Sequence, residues 1–131
     1  MRKIKFRGQE IDTKKIVYGD LAQMEPYISN GIFCTIKTEP YVCKKVNPNT
    51  VCEFIGLTDK NGVEIYENDI IKFYAGEKFE RVEIYTVSYN APSFYGKSKI
   101  QTVNNIDSLS MELLNGRIEV IGNIYENPEL L

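Results

Sequence analysis

The sequence predicts a mostly β protein, built as a small, strongly bent barrel with additional antiparallel hairpins and one short helix. Three observations predict this. β-branched and aromatic residues recur in short runs, the composition that pleated strands favour. Gly, Asn, Asp and Pro punctuate those runs from one end of the chain to the other. Helical spacing of apolar residues shows in one place, residues 106–114. With 131 residues and 43% apolar content, the chain can bury a real core. The expected organisation is a single domain, 1–131, with two β subdomains of about 1–50 and 51–131 sharing a core as the variant.

From Lys3 to Arg7 cations alternate with bulky residues. At a period of two, Ile4 and Phe6 face the core while Lys3, Lys5 and Arg7 face out. Asp12-Thr13-Lys14-Lys15 turns the chain into Ile16–Leu21, so residues 3–21 form a hairpin. Residues 1–15 carry six cations and two anions, the densest basic segment. A solvated strand face is its ordinary explanation; phosphate contact needs the same residue types. Ala22–Gly31 is irregular, and Ser29-Asn30-Gly31 turns into a strand over Ile32–Lys37. Tyr41–Val46 alternates again, and Asn47-Pro48-Asn49 breaks the pattern before Thr50–Leu57.

The most distinctive stretch is Phe54–Phe73. Asp59-Lys60-Asn61-Gly62 separates two strand-like runs. Asp opens such turns by accepting a backbone N–H two residues on, and Asn61 and Gly62 tolerate positive φ. A calcium loop would need another oxygen ligand before its glycine and a bidentate Glu six residues after it; Gly62 follows Asn61 directly and position 68 is Asn. The plain turn is therefore favoured. Glu67-Asn68-Asp69 makes a second turn, with Asp69 capping it by bonding local amides.

Ala75-Gly76-Glu77 turns into Phe79–Tyr89, the longest strand. Val82, Ile84, Thr86 and Ser88 share one face; Arg81, Glu83, Tyr85, Val87 and Tyr89 share the other. Phe94-Tyr95-Gly96 returns as a short strand, which suits a small bent barrel. Lys97–Asn105 is polar and is expected to be mobile. A helix is expected over 108–114, capped by Asp107, with Ile106, Leu109, Leu113 and Leu114 on one face and Gly116 as its stop. Arg117–Tyr125 is the last strand, ended by Glu126-Asn127-Pro128. Cations and aromatics interleave at Lys72-Phe73-Tyr74, Arg81, Tyr85, Tyr89, Tyr95 and Lys97, as in small barrels that stack single-stranded nucleic acid. Glu77, Glu80 and Glu83 sit among them, and tyrosines packing between strands is the favoured explanation.

Three blocks carry a family resemblance: Met1–Gly8, Phe54–Phe73, and Glu119–Leu131 with its run Ile121-Gly122-Asn123-Ile124-Tyr125-Glu126-Asn127-Pro128. In these the chain resembles the YopX family of small bacteriophage and prophage proteins. The resemblance spans the whole chain. It implies a barrel of the Src-homology-3 type and a bacterial host, and no established molecular function. Because no apolar core follows Arg2, Lys3, Lys5 and Arg7, the expected location is that host's cytoplasm. Two positions depart from the family pattern. Asn68 stands where the family usually has Gly, a change that keeps access to the left-handed region. Ile16 stands where the family usually has Trp, which puts in doubt whatever that Trp packs against or binds.

Histidine is absent, which removes the commonest general base and the usual triads. Cys34, Cys43 and Cys52 fall nine residues apart, without the spacing of a zinc site, and are expected to pack within strands. No metal and no cofactor is expected. No apolar run approaches the ~20 residues of a membrane span. The net charge of −2 gives no global pull towards nucleic acid. The expected function is that of a non-catalytic phage or prophage accessory module, homo-oligomeric, with an unknown host or phage protein as partner. Nucleic-acid binding is the alternative, and an enzyme using Asp59, Asp69 and Glu64 ranks third. Candidate binding residues are Lys3, Lys5, Arg7, Tyr85, Tyr89 and Tyr95. Asp59, Asn61, Gly62, Asn68, Asp69 and Gly122 are expected to shape turns.

Overall fold

The computed structural model of the chain describes residues 3–24, 33–40, 42–90, 93–98 and 116–131, with the side chains of 23, 24, 33–35, 37, 90, 93–95 and 98 outside the description. The expected helix over 108–114 lies outside the described residues. The structure is mostly β, and every strand pairing is antiparallel. No closed barrel forms among the described residues. None of the described helices is long and apolar enough to cross a membrane. The chain divides into two compact units, Met1–Phe54 and Ile55–Leu131.

The first unit holds β1 (Phe6–Gln9), β2 (Ile16–Met24), β3 (Phe33–Glu39), β4 (Val42–Val46) and the start of β5 (Cys52–Thr58), in the order β4-β3-β2-β1-β5. β2 is long enough to serve two partners: Ile16–Gly19 pair with β1 and Asp20–Met24 with β3. The register slips between Lys37 and Glu39, a bulge that adds twist. β4 then comes back to the end of β1. Glu10 bridges Val46, the Ile11 N–H donates to the Lys45 carbonyl at 3.0 Å, and the Asn47 N–H donates to the Gln9 carbonyl at 2.9 Å. A 3-10 turn over Pro48–Thr50 follows; Asn47 caps it by accepting from the Asn49 N–H at 3.0 Å. Thr50, buried, accepts from the Gln9 N–H at 2.8 Å and donates to the Asn47 carbonyl at 2.7 Å. Among the described residues of this unit, Ile36, Val46, Cys52 and Phe54 are the buried apolar side chains.

This layout corrects the reading of the N-terminal strand. β1 begins at Phe6, so residues 3–5 lie outside the period-two pattern. Ile4 is 62% exposed and Arg7 only 3%. β1 is paired along both edges, by β2 and β5, and its faces are covered as well: Ile36 and Val46 lie over Gly8, and Arg7 on the opposite face is buried too. Both faces of β1 are therefore covered, whereas alternation expects an antiparallel strand to keep one face in water.

The second unit continues β5 into a hairpin with β6 (Glu64–Tyr66). β7 (Asp69–Ala75), β8 (Arg81–Asn90), β9 (Ser93–Ser98) and β10 (Ile118–Asn123) form a four-stranded sheet in the order β10-β7-β8-β9. Its core is Ile55, Ile65, Ile71, Tyr85, Val87 and Ile118, with Leu57, Phe73 and Val120 packed against it. Ile71/Phe73, Tyr85/Val87 and Ile118/Val120 are period-two pairs on neighbouring strands, so one face of three strands meets one core. Each fully buried Ile or Val side chain is worth about 1.5–3 kcal/mol.

Several boundaries differ from the sequence reading. β2 runs on to Met24, through the segment expected to be irregular from Ala22, and β5 begins at Cys52, after Thr50 has closed a 3-10 turn. β8 starts at Arg81 because Phe79 takes φ 57° and closes the preceding turn. β9 runs on to Ser98, so Lys97 and Ser98 are strand rather than mobile segment. The last strand stops at Asn123, where that side chain turns the chain instead.

Candidate functional site

Asp59 and Asp69 are the carboxylates with most claim to chemistry, and both are occupied by backbone. Asp59 is 5% exposed. Its Oδ1 accepts from the Asn61 N–H at 2.8 Å and the Val63 N–H at 2.9 Å; its Oδ2 accepts from the Val120 N–H at 3.0 Å. One side chain therefore closes its own turn and joins it to β10, helped by the Lys60 N–H donating to the Ile118 carbonyl at 3.1 Å. Asn61 lies inside that turn, and Gly62 supplies φ +81°. Asp69, 1% exposed, accepts from the Tyr66 N–H at 2.7 Å across the second turn. Asn68 there takes φ 65°, donates its N–H to the Val87 carbonyl at 2.8 Å and accepts from the Ile124 N–H at 3.1 Å. Glu64 accepts from the Tyr66 hydroxyl at 3.1 Å.

Gly122 is not in a turn: it sits in β10, where the register shifts between Val120 and Gly122. The turn comes next and belongs to Asn123. Its Oδ1 accepts from the Tyr125 and Glu126 N–H groups, each at 3.0 Å, and its Nδ2 donates to Glu126 at 2.9 Å. This accounts physically for the Gly122–Pro128 run as a structural motif. The arrangement is a common Asx turn, so Asn123 was findable from its residue type and the proline after it.

The candidate binding residues do not form one surface. In the first unit, Lys3 is exposed, Lys5 lies with its ammonium 5.7 Å from the Phe54 ring centroid, and Arg7 is buried. Ile16, at the position of the family Trp, is half-buried opposite Gln9. In the second unit, Tyr85 is a core residue, 2% exposed and edge-on to Phe73 at 6.1 Å. Its hydroxyl donates to Glu83 at 2.5 Å. Burial first, and that bond second, push its phenol well above the usual tyrosine range. It is removed from any stacking surface. Tyr89 is 52% exposed, and Tyr95 pairs with Ser88 through its backbone. The cysteines separate too: Cys52 is buried and donates to the Thr50 carbonyl at 3.3 Å, whereas Cys43 on β4 is exposed and does not pack as expected. Among the described residues no three Cys, Asp or Glu side chains converge as a metal site.

What the structure does bring together is Lys60, Tyr74 and Glu119. The Tyr74 hydroxyl donates to Glu119 Oε2 at 2.6 Å, Lys60 Nζ lies 3.3 Å from the same oxygen, and that ammonium sits 4.2 Å from the Tyr74 ring centroid. The bond from Tyr74, then that from Lys60, hold the Glu119 carboxyl below its ordinary value. Partial burial pulls the Lys60 ammonium down, but its bonds to Glu119 and Tyr74 outweigh that and leave it raised. Beside them Arg117 donates to the Tyr74 and Gly76 carbonyls at 3.1 and 2.9 Å, with its guanidinium 4.4 Å from the Phe79 ring centroid. Sequence reasoning missed this network because a turn, β7 and β10 supply one member each. Only the pairing of Glu119 with Lys72 puts Tyr74 within reach.

With this geometry in place, comparison with known proteins is informative. The sequence model of the YopX family, described as YopX protein, matches residues 5–131. Among solved structures the chain is similar to protein EF1440 from Enterococcus faecalis, with a TM-score of 0.62 and 26% identity, covering 100% of this chain and 99% of that one. No curated protein matches the chain. Of the three blocks that carry the resemblance, Phe54–Phe73 and Glu119–Leu131 lie wholly within the matched region and Met1–Gly8 enters it at residue 5. The chain belongs to the YopX family.

Proposed function

We propose that this chain is a binding module that does no chemistry: a phage or prophage accessory protein, homo-oligomeric, acting on a host or phage protein in the cytoplasm of a bacterial host. One observation carries the non-catalytic part. Four groups among the described residues shift away from neutral pH. Glu10 and Glu119 are lowered, Lys60 and Tyr85 raised. A general acid or base works best with a value drawn towards the operating pH. The geometry supports the same reading, since both Asp59 oxygens and Asp69 Oδ2 accept from backbone amides.

The Src-homology-3-like barrel belongs to this proposal, with the first unit as its seat. The strand order, the shared β2, the return of β4 to the end of β1 and the 3-10 turn before β5 support it. Small barrels serve many roles, so the partner rests on other grounds. Affinity pull-down from phage-infected host cells, run with and without nuclease, tests the partner. A stoichiometric protein retained after nuclease supports the reading. A partner that vanishes with nuclease favours the nucleic-acid alternative. That alternative has one observation of its own. The first unit has nine Lys and Arg against six Asp and Glu, net +3, and the second has seven against twelve, net −5.

A further inference from the structure

We infer that the β1–β2 turn of the first unit is a docking point for a nucleic-acid phosphate backbone, held by Lys14, Lys15, Lys44 and Lys45 around Glu10. Two of these lysines belong to the turn and two to β4. The return of β4 to the end of β1 brings them together, and Glu10 is the hub. Its carbonyl accepts from the Lys14 N–H at 3.0 Å and its N–H donates to the Lys15 carbonyl at 2.9 Å. Its carboxylate lies 3.6 Å from Lys44 Nζ. The neighbouring Ile11 N–H donates to the Lys45 carbonyl at 3.0 Å. Lys14, Lys15 and Lys45 are exposed, and Lys44 is half-buried.

The two acids of the turn itself, Glu10 and Asp12, leave the four lysines in excess by two. Glu10 gives one oxygen to Lys44 and the other to the Thr13 hydroxyl, so it is engaged within the turn. Asp12, exposed in the same turn, offsets one cation more. The turn is also cross-braced: Gln9 Nε2 donates to the Lys14 carbonyl at 3.0 Å and the Lys15 N–H donates to Thr13 Oγ1 at 3.3 Å. Ammonium groups on a fixed backbone lose less freedom on binding. Lysine is a point charge without the fork that reads a base edge, so the contact is with phosphates and indifferent to sequence. An acidic protein would need shape complementarity as well; a phosphate backbone needs surface cations alone. This goes beyond the protein-partner reading and stands or falls apart from it, because that partner is sought after nuclease treatment.

Fluorescence anisotropy of the full chain with a labelled duplex, across a salt series, tests the inference. About three phosphate contacts give a log–log salt slope near −2.7, so an affinity of ~10⁻⁴ M at about 150 mM salt tightens about twentyfold at about 50 mM. Substituting Lys14→Gln, Lys15→Gln, Lys44→Gln and Lys45→Gln together should flatten the slope by about two to three, equally for unrelated sequences. The pair Lys14→Gln and Lys15→Gln, both exposed, should remove about half of it with the thermal transition unchanged. Lys3→Gln with Lys5→Gln should leave it as it was. A wild-type slope shallower than about −1, or one that survives the fourfold change, overturns the inference. So does equal affinity for polyglutamate, which would assign the patch to an acidic protein.

Discussion

Gly62 and Gly122 are constrained for opposite reasons, and substitutions separate them. At Gly62 the backbone takes φ +81° but an added Cβ would meet nothing within 4 Å. Gly62→Val should therefore cost roughly 1–3 kcal/mol through backbone strain alone, read by urea unfolding. At Gly122 an added Cβ would lie 2.4 Å from Asn127 Oδ1 and 2.9 Å from Asn127 Cβ. Gly122→Ala should cost about 1–3 kcal/mol through overpacking. Much of that should be regained in an Asn127→Gly background, where the obstructing side chain is gone. Equal penalties in both backgrounds would show that Asn127 is not the obstacle. Tyr85 gives a pH-dependent counterpart. Folding raises its phenol pKa, so its contribution to stability is complete below the unfolded value of about 10 and is lost as pH climbs from there towards the folded value. Tyr85→Phe should flatten the fall in unfolding free energy above about pH 10. Identical alkaline slopes for both proteins would mean that the phenol ionises freely in the folded state.

Between elements, the Asp59 carboxylate is the joint that sequence alone half reveals. Its bonds to Asn61 and Val63 are local, and residue type is enough to expect them. Its bond to Val120 crosses from the β5–β6 hairpin to β10, and no periodicity announces it. Asp59→Ala should cost about 2–4 kcal/mol, since three N–H groups lose an acceptor. Asp59→Asn should fall between: Oδ1 still closes the turn, but an amide NH₂ now faces the Val120 N–H. Hydrogen exchange at Val120 reads the difference; protection as in wild type would detach Asp59 from β10. The same division runs through the fold. Strands β2 to β8 were legible because alternation and turn residues are local. The N-terminal strand was misread because β1 is covered on both faces, which depends on what packs over the sheet and not on local alternation. Tyr85 looked like half of a stacking platform until the register placed it beside Ile71 in the core. The Lys60–Tyr74–Glu119 network was illegible for that reason as well.

At the scale of the whole molecule, a net charge of −2 conceals a first unit at +3 and a second at −5. At neutral pH and about 0.1 M salt the protein should be retained on both anion and cation exchangers, because local fields act within a Debye length of about 10 Å. Loss of Lys14, Lys15, Lys44 and Lys45 should abolish retention on the cation exchanger only. Passage of the wild-type protein straight through that column would mean the charges are too dispersed to act as a patch. The order of strands has a consequence of a different kind. β10 lies against β7 and delivers Ile118 to the core, yet it follows β7 in the chain by more than forty residues. During synthesis the strands of the first unit are all available once Phe54 has been made. The second unit must wait with Ile55, Ile65 and Ile71 uncovered until translation has passed Asn123. Over that interval, several seconds at about 5–20 residues per second, the nascent chain is a target for chaperones and proteases in a way the finished protein is not.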